Sequence, residues 1–304
     1  MPGPLRFRPD GRFRIVQLTD THLRDGDPDD RRTSALIAQV LDEEGPDLAV
    51  LTGDVVQGEH APDPARAWSL AVDPMEARGV PWAAVFGNHD DEGALDRAAL
   101  MEALRGFPSC LAEPGPDRLS GVGNFVLEVG SSRGDGPAAH LYFLDTHAYT
   151  PTGAGEYDWL RHDQVTWYRE TAASKAGGGA RPALVFLHIP LPEYDAAWRA
   201  GYDVRGTRGG PVCSPAINSG MFAAVHERGE VLGVFCGHDH WNDFDATLYG
   251  TRLCYGRVTG FGGYAGGPLA RGARVIELVE GERRFETWLR VEGGRREDQP
   301  PSSR

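Results

Sequence analysis

Six short, uninterrupted apolar runs punctuate the chain: Ile15–Leu18, Leu48–Leu51, Trp82–Phe86, Leu141–Leu144, Leu184–Leu187 and Val231–Phe235. A strand with one wet face alternates polar and apolar residues, whereas a strand covered on both faces reads as a continuous apolar run. These runs are therefore read as strands buried on both sides, which requires layers above and below them. Segments with helical spacing supply those layers. Leu36, Ile37, Val40 and Leu41 share one face of a helix that ends at Gly45-Pro46. Asp63-Pro64 reads as an N-cap and first helical residue, with Trp68, Ala71, Val72 and Met75 following at helical spacing. Further helices are expected over about 92–105, from an Asp163 cap through Val165, Tyr168 and Ala172, and from Ile217 through Met221, Phe222 and Val225 to Gly229. Alternation of this kind specifies an α/β architecture.

Past residue 245 the pattern changes. Runs near 247–255, 273–279 and 285–291 follow one another without helices and read as antiparallel strands, and 131–137 reads as a hairpin loop. No internal repeat or domain linker is visible, so residues 1–292 are expected to form a single domain. Residues 293–304, mixing Gly, Pro, Ser and charge, are expected to be a disordered tail. The N-terminus has no apolar signal-peptide core, no run approaches the roughly 18 apolar residues of a membrane span, and four cysteines lack any CxxC spacing. A reducing, cytoplasmic location is the expectation that follows. A net charge of −13 argues against a nucleic-acid platform or an anionic-membrane surface. Nothing in the sequence sets the oligomeric state.

Five of the six runs lead into a polar cluster: Asp20-Thr21-His22, Gly53-Asp54, Gly87-Asn88-His89-Asp90, His188, and Gly237-His238-Asp239-His240. Ligands in open α/β sheets bind beyond the carboxyl ends of the strands. If the five strands share one parallel sheet, all five clusters converge on one edge. The gathered side chains are Asp20, His22, Asp54, Asn88, His188, His238 and His240, with His89 beside them. This donor set mixes nitrogen and oxygen and contains no thiolate, which suits Mn, Fe or Zn better than Mg or Ca. Seven donors exceed one tetrahedral ion and fit two ions bridged by one carboxylate. Paired metals clamp the attacking and leaving oxygens of an in-line displacement at phosphorus. Taken singly, each motif has a bland reading, as a solvated loop, a turn or a buried histidine. The order of all five, each after a buried strand, is what points to metal chemistry.

The motifs DTH, GDVV, GNHD, the isolated His188 and GHDH, in this order, resemble the calcineurin-like metallophosphoesterases over about residues 13–290. Wider stretches, WAAVFGNHDDE, LYFLDTHAY, FLHIPLPEY, NSGMF, GVFCGHDHWND and YGRVTGFGGYAGG, resemble the purple-acid-phosphatase-like branch. That branch includes the fungal Dcr2-type phosphatases and the plant purple acid phosphatase 29 type. The resemblance implies a four-layer αββα sandwich, two mixed β-sheets flanked by helices. It implies that Asp20, His22 and His240 hold one metal, that Asn88, His188 and His238 hold a second, and that Asp54 bridges them. It implies that His89 reaches the substrate. GDVVQGEHAPD lacks the tyrosine ligand of true purple acid phosphatases, so their purple chromophore is not expected. The expected activity is hydrolysis of a phosphate monoester by in-line attack of a metal-bridging hydroxide, on a small-molecule or phosphoprotein substrate. A phosphodiesterase with the same site is the alternative, and a catalytically weak metal-binding scaffold is the alternative of another class.

The remaining signals are weaker. His60, His162 and His226 read as surface, His140 as a strand edge, and His147 and Asp145 as structural. Asp239 could orient a neighbouring ligand. The segment 190–215, with Arg199, Arg205 and Arg208, is irregular enough to form a lid, and one arginine could meet a substrate anion.

Overall fold

The computed structural model describes residues 3–177, 181–200, 202–263 and 269–299. Expectations for residues 178–180, 264–267 and 300–304 lie outside these. The chain runs β1 (Arg12–Leu18), α1 (Pro28–Glu44), β2 (Leu48–Thr52), α2 (Pro64–Glu76), β3 (Trp82–Val85) and α3 (Arg97–Leu104). A hairpin follows, β4 (Phe125–Gly130) and β5 (Pro137–Phe143), then α4 (His162–Lys175), β6 (Ala183–Phe186), α5 (Glu193–Ala200), α6 (Met221–Arg228) and β7 (Val231–Cys236). The chain closes with β8 (Asp245–Leu248), β9 (Thr251–Tyr255), β10 (Gly272–Val279), β11 (Phe285–Val291) and β12 (Arg295–Glu297).

Two six-stranded sheets result, ordered β12-β11-β10-β1-β2-β3 and β4-β5-β6-β7-β9-β8. Both are mixed. In the first, β1, β2 and β3 are parallel and β10, β11 and β12 are antiparallel additions. In the second, β5, β6, β7 and β9 are parallel, with antiparallel β4 and β8 at the edges. The continuous apolar runs therefore sit where both faces are covered, as their composition requires.

Strand period sorts the side chains between two cores. Leu184 and Phe186 face inward to the core shared with the first sheet, while Ala183, Val185 and Leu187 face the outer core with α4, α5 and α6. Phe143, Phe186 and Phe235, one from each of β5, β6 and β7, stack at 5.3–5.4 Å. Phe285 of β11 meets Phe235 at 5.4 Å and joins the two sheets. α2 starts at Asp63-Pro64 as the sequence predicts, and α1 has the same kind of start, capped by Asp27 and followed by proline. Gly45 ends α1 in the left-handed region at φ 52°. Among the described residues, no helix is long and apolar enough to cross a membrane.

Several boundaries differ from the sequence expectation. α3 begins only after its Asp96 cap. α4 is capped by Arg161, whose N–H donates to the Gln164 side chain, and Asp163 instead accepts from Ser120. Ile217 lies outside α6 and is exposed. His140 is buried in β5, an interior strand, rather than at an edge. The segment 190–215 carries α5, anchored by buried Tyr194 and Ala197.

The tail differs most. Residues 293–299 are placed, and β12 pairs with β11 from Val291↔Arg295 to Leu289↔Glu297. Apolar burial is not what holds this segment. Buried Arg257 pairs with Glu297 at 3.2 Å, Gln299 accepts from Arg274 at 3.0 Å, and Gln299 donates to the Asp243 carbonyl at 2.9 Å. Arg296 lies over the Trp288 ring at 4.1 Å. Deleting residues 293–304 is expected to lower the thermal midpoint by several degrees, since about 1 kcal/mol moves a domain of this size by roughly 2–4 °C. Calorimetry on the truncated chain checks this, and an unchanged midpoint would show that the strand adds nothing.

Candidate metal centre

Three of the polar clusters follow β1, β2 and β3 of the first sheet, and two follow β6 and β7 of the second. The five strands do not share one sheet; they divide between the two mixed sheets that the resemblance implies, whose carboxyl edges meet. Cross-sheet hydrogen bonds bind that seam. Gln17 Nε2 donates to the Cys236 carbonyl at 2.9 Å, and His188 Nδ1 donates to the Thr52 carbonyl at 2.8 Å.

At the seam the seven donors gather, all buried. Asp20, His22 and His240 form one group, and Asp54, His188 and His238 another; within each, the nearest donor atoms lie within 4.8 Å of one another. Asp54 Oδ2 reaches both groups, 3.2 Å from His188 Nε2 and 3.8 Å from His22 Nε2. Asn88 Oδ1 completes the second group, 3.3 Å from His188 Nε2. His22 Nε2 and His240 Nε2 are 2.9 Å apart, and His240 Nε2 is 3.5 Å from Asp20 Oδ1.

The proton count shows what this arrangement suits. With its Nδ1 proton given to Thr52, His188 turns Nε2 inward, the atom that bears a lone pair whenever the ring is neutral. That nitrogen faces the Asp54 carboxylate, the Asn88 oxygen and His238 Nδ1 at 3.2–3.3 Å. Nitrogen and oxygen atoms brought this close need a proton or a metal cation between them. Burial alone would lower the His188 pKa, but the Asp54 charge outweighs it and raises it to about 9, so in the ion-free chain a proton on Nε2 stands where a metal cation would. Burial pushes His22 down to about 4 and His238 down to about 3, keeping both in the neutral form that coordinates metals. A buried set of imidazoles, carboxylates and one amide oxygen fits borderline transition-metal ions.

Backbone geometry is bent to serve this cluster. Asp20, His22, Asp54 and His238 all sit at positive φ, at 53°, 45°, 48° and 77°. Such conformations cost of order 1–3 kcal/mol per non-glycine residue and persist where surrounding structure over-determines them. Two glycines of the motifs are required by close approach. A Cβ on Gly87 would fall on the Asp54 carboxylate, and one on Gly237 would fall on Thr19 Oγ1.

The braces around the donors are residues to which sequence reasoning assigned no role. Asp90, buried, accepts from Val55 N, Val56 N and Gly87 N at 2.7–3.0 Å, clamping the loop after β2 to the loop after β3. Arg97, buried, donates to the Gly87 carbonyl at 2.8 Å and the His147 carbonyl at 2.9 Å, and pairs with Asp91 and Asp145. Their signal was present only as an acidic residue ending GNHD and a helix-start arginine, neither of which marks a brace by itself. His147 itself turns to Gln164 at 2.9 Å, and Asp145 serves Arg97, so both are structural as expected. Asp239 accepts from Tyr255 and from Cys213 N rather than orienting a donor of the cluster. Arg199 and Arg208 both pair with Asp195 at 2.8 Å, and Arg205 lines a separate cavity with Asp203 and Asp245.

His89 stands beside the cluster. Its N–H donates to Asp54 Oδ1 at 2.8 Å, its ring centroid is 5.3 Å from that of His22, and its side chain remains 21% accessible. Tyr157 sets its ring edge-on to His238 at 4.4 Å, and half-exposed Tyr149 accepts from Asn88 Nδ2 at 3.0 Å.

The calcineurin-like phosphoesterase family model matches residues 13–242. The chain belongs to that family. It is 35% identical over 323 aligned residues to a protein of Arabidopsis thaliana named probable inactive purple acid phosphatase 14, covering 95% of this chain and 80% of the relative. It is also 35% identical to phosphatase DCR2 of Saccharomyces cerevisiae, covering 95% of this chain and 55% of the yeast protein. A dimetal phosphatase from Danio rerio shares the fold at TM-score 0.59 and 15% identity, covering 90% of this chain and 98% of that one.

Removing the Arg97 guanidinium, as in Arg97→Met, leaves Asp145 buried without its counter-charge. Losing one partner of a buried pair costs about 3–5 kcal/mol, so the denaturant midpoint is expected to fall sharply. A midpoint within error of the parent would show that the brace is dispensable.

Proposed function

We propose that this protein is a dinuclear-metal phosphoesterase whose substrates are phosphate monoesters. The observation that carries the reading is the pair of buried donor groups sharing Asp54. Asp20, His22 and His240 would hold one ion, Asn88, His188 and His238 the other, and Asp54 both. When bound, two divalent cations of the Mn, Fe or Zn type supply Lewis acidity, neutralising phosphate oxygens and making water acidic enough to attack at neutral pH.

The chain's own residues supply orientation and a proton. His188 is locked by Thr52 O and His22 by Gln57 Oε1 at 2.8 Å, so their Nε2 atoms keep one direction. His89 is the group placed to reach the substrate, donating to a phosphate oxygen or to the leaving oxygen. Burial opposes protonation of His89, but Asp54 and Glu92 outweigh it and raise its pKa, favouring the donor form. The Tyr149 and Tyr157 rings, stacked at 5.9 Å, form a wall beside Asn88 and His238. Substrates of this site are phosphorylated small molecules or phosphoproteins. The monoester preference is supported by the yeast relative's designation as a phosphatase.

Metal content measured beside turnover of p-nitrophenyl phosphate and its bis-ester tests the proposal. Two metals per chain and monoester preference are expected; bis-ester preference would make the enzyme a diesterase, and metal-free protein with no turnover would leave a scaffold. Asp54→Ala is expected to lose metal and activity together, because both groups share that carboxylate; two retained metals would overturn the bridge. His89→Ala is expected to keep both metals and lose kcat by about 10²–10⁴, the scale of one acid–base or oxyanion-stabilising group. Metal loss in that variant would make His89 a ligand instead.

A further inference from the structure

We propose that Glu92 is a positioning residue that sets two neighbours at once, the proton of His89 and the direction of the Asn88 amide. The inference rests on the reading of His89 and Asn88 given above. His89 Nδ1 lies 2.6 Å from Glu92 Oε2. Tyr149 Oη lies 3.3 Å from Glu92 Oε1 and 3.0 Å from Asn88 Nδ2. Asn88, Tyr149, Glu92 and His89 therefore close a ring of contacts that begins and ends on adjacent residues of the GNHD loop.

A carboxylate can only accept, so both contacts to Glu92 must be donated to it. The first consequence concerns His89. Its Nδ1 carries the proton given to Glu92, and Nε2 is the nitrogen left to act on a substrate. The second consequence concerns Asn88. An amide's oxygen and nitrogen are interchangeable in shape, and only its partners decide which way it points. Tyr149 has one hydroxyl proton, and Glu92 takes it. Tyr149 must then accept from Asn88, so the amide turns its nitrogen to Tyr149 and its oxygen toward His188 Nε2, 3.3 Å away. A tyrosine free to donate would let the amide reverse and present N–H groups where a cation belongs. Glu92 keeps 25% of its side chain accessible and lies outside any helix or strand. It braces no buried core, which separates this role from packing.

The experiment uses the full chain with p-nitrophenyl phosphate as substrate and Mn²⁺ as probe. Glu92→Ala is expected to lower kcat by about 10–100-fold, the usual effect of removing a partner behind a site residue, with KM within threefold and the thermal midpoint unchanged. In a His89→Ala background the same change should cost less than threefold, because the group it positions is gone. Tyr149→Phe should weaken one of two Mn²⁺ sites about 10-fold by calorimetric titration, a readout independent of turnover. Glu92→Gln keeps an acceptor oxygen and should fall between Glu92→Ala and the parent.

Three results would overturn the inference. One is a kcat within twofold of the parent in both Glu92 variants while His89→Ala loses a hundredfold; the reading of His89 would then survive alone. Another is a Glu92→Ala loss of equal size with and without His89, together with unchanged Mn²⁺ affinity in Tyr149→Phe. The last is a fully active His89→Ala, which removes the reading of His89 and this inference with it.

Discussion

A crowding of oxygen and imidazole nitrogen atoms at the seam between two sheets governs this molecule. His188 spends its only neutral-state proton on the Thr52 carbonyl, and its inward Nε2 then meets a carboxylate, an amide oxygen and another imidazole within 3.3 Å. Acceptors do not crowd together in a protein interior unless something positive belongs among them. Much of the surrounding structure serves to hold that unfavourable arrangement in place. The left-handed backbone at Asp20, His22, Asp54 and His238 aims side chains that an ordinary turn would send elsewhere. The missing Cβ atoms at Gly87 and Gly237 leave room for Asp54 and Thr19. Strain of this kind survives only inside a stiff frame.

The frame is the pair of sheets. Each donor sits within a few residues of a strand buried on both faces, so its backbone position is set by core packing rather than by the loop alone. Phe143, Phe186, Phe235 and Phe285 pack the interior between the sheets. Asp90 and Arg97 then tie the loops to one another above that core. The arrangement has a thermodynamic corollary. A cation bound among these donors would stabilise the folded state by linkage, because the unfolded chain scatters the donors over more than two hundred residues.

The central parallel strands, the end of α1, the cap of α2 and the seven-donor set were legible because each left a local mark. Continuous apolar runs reveal strands covered on both faces, Asp-Pro marks a helix start, and donors placed just after strands converge by topology. What was not legible depends on long-range partners. β4, with three of its six residues half-buried and one exposed, has no clean apolar run. β12 is held by pairing to β11 and by Arg257 and Arg274, none of which shows in the local composition of the tail. α5 hides in a segment broken by proline and glycine on either side. The assignment of the motifs to two sheets rather than one cannot be seen in any single run, since β3 and β6 look alike in sequence. Nothing local marks Asp90, Glu92 or Arg97, and only the fold shows Asp90 and Arg97 buried and Glu92 joined to two residues of the site.

The braces also explain how fold and chemistry can part company in such proteins. Asp90 clamps backbone N–H groups, Arg97 clamps carbonyls, and the Thr52 carbonyl locks an imidazole; none of these contacts needs a metal. A chain that lost a donor would keep the sheets, the seam and most of the loop geometry, so likeness of fold to a dimetal phosphatase says little about turnover. The discriminating feature is the donor set itself. Here all seven positions carry a side chain able to coordinate, every one is buried, and the amide among them is turned by Tyr149 so that its oxygen faces inward. A site retained only as scaffolding has no need to keep so many acceptors opposed at such short range, because replacing even one by an apolar residue would relieve the repulsion. That the opposition is kept whole is the physical reason these donors fit a pair of cations.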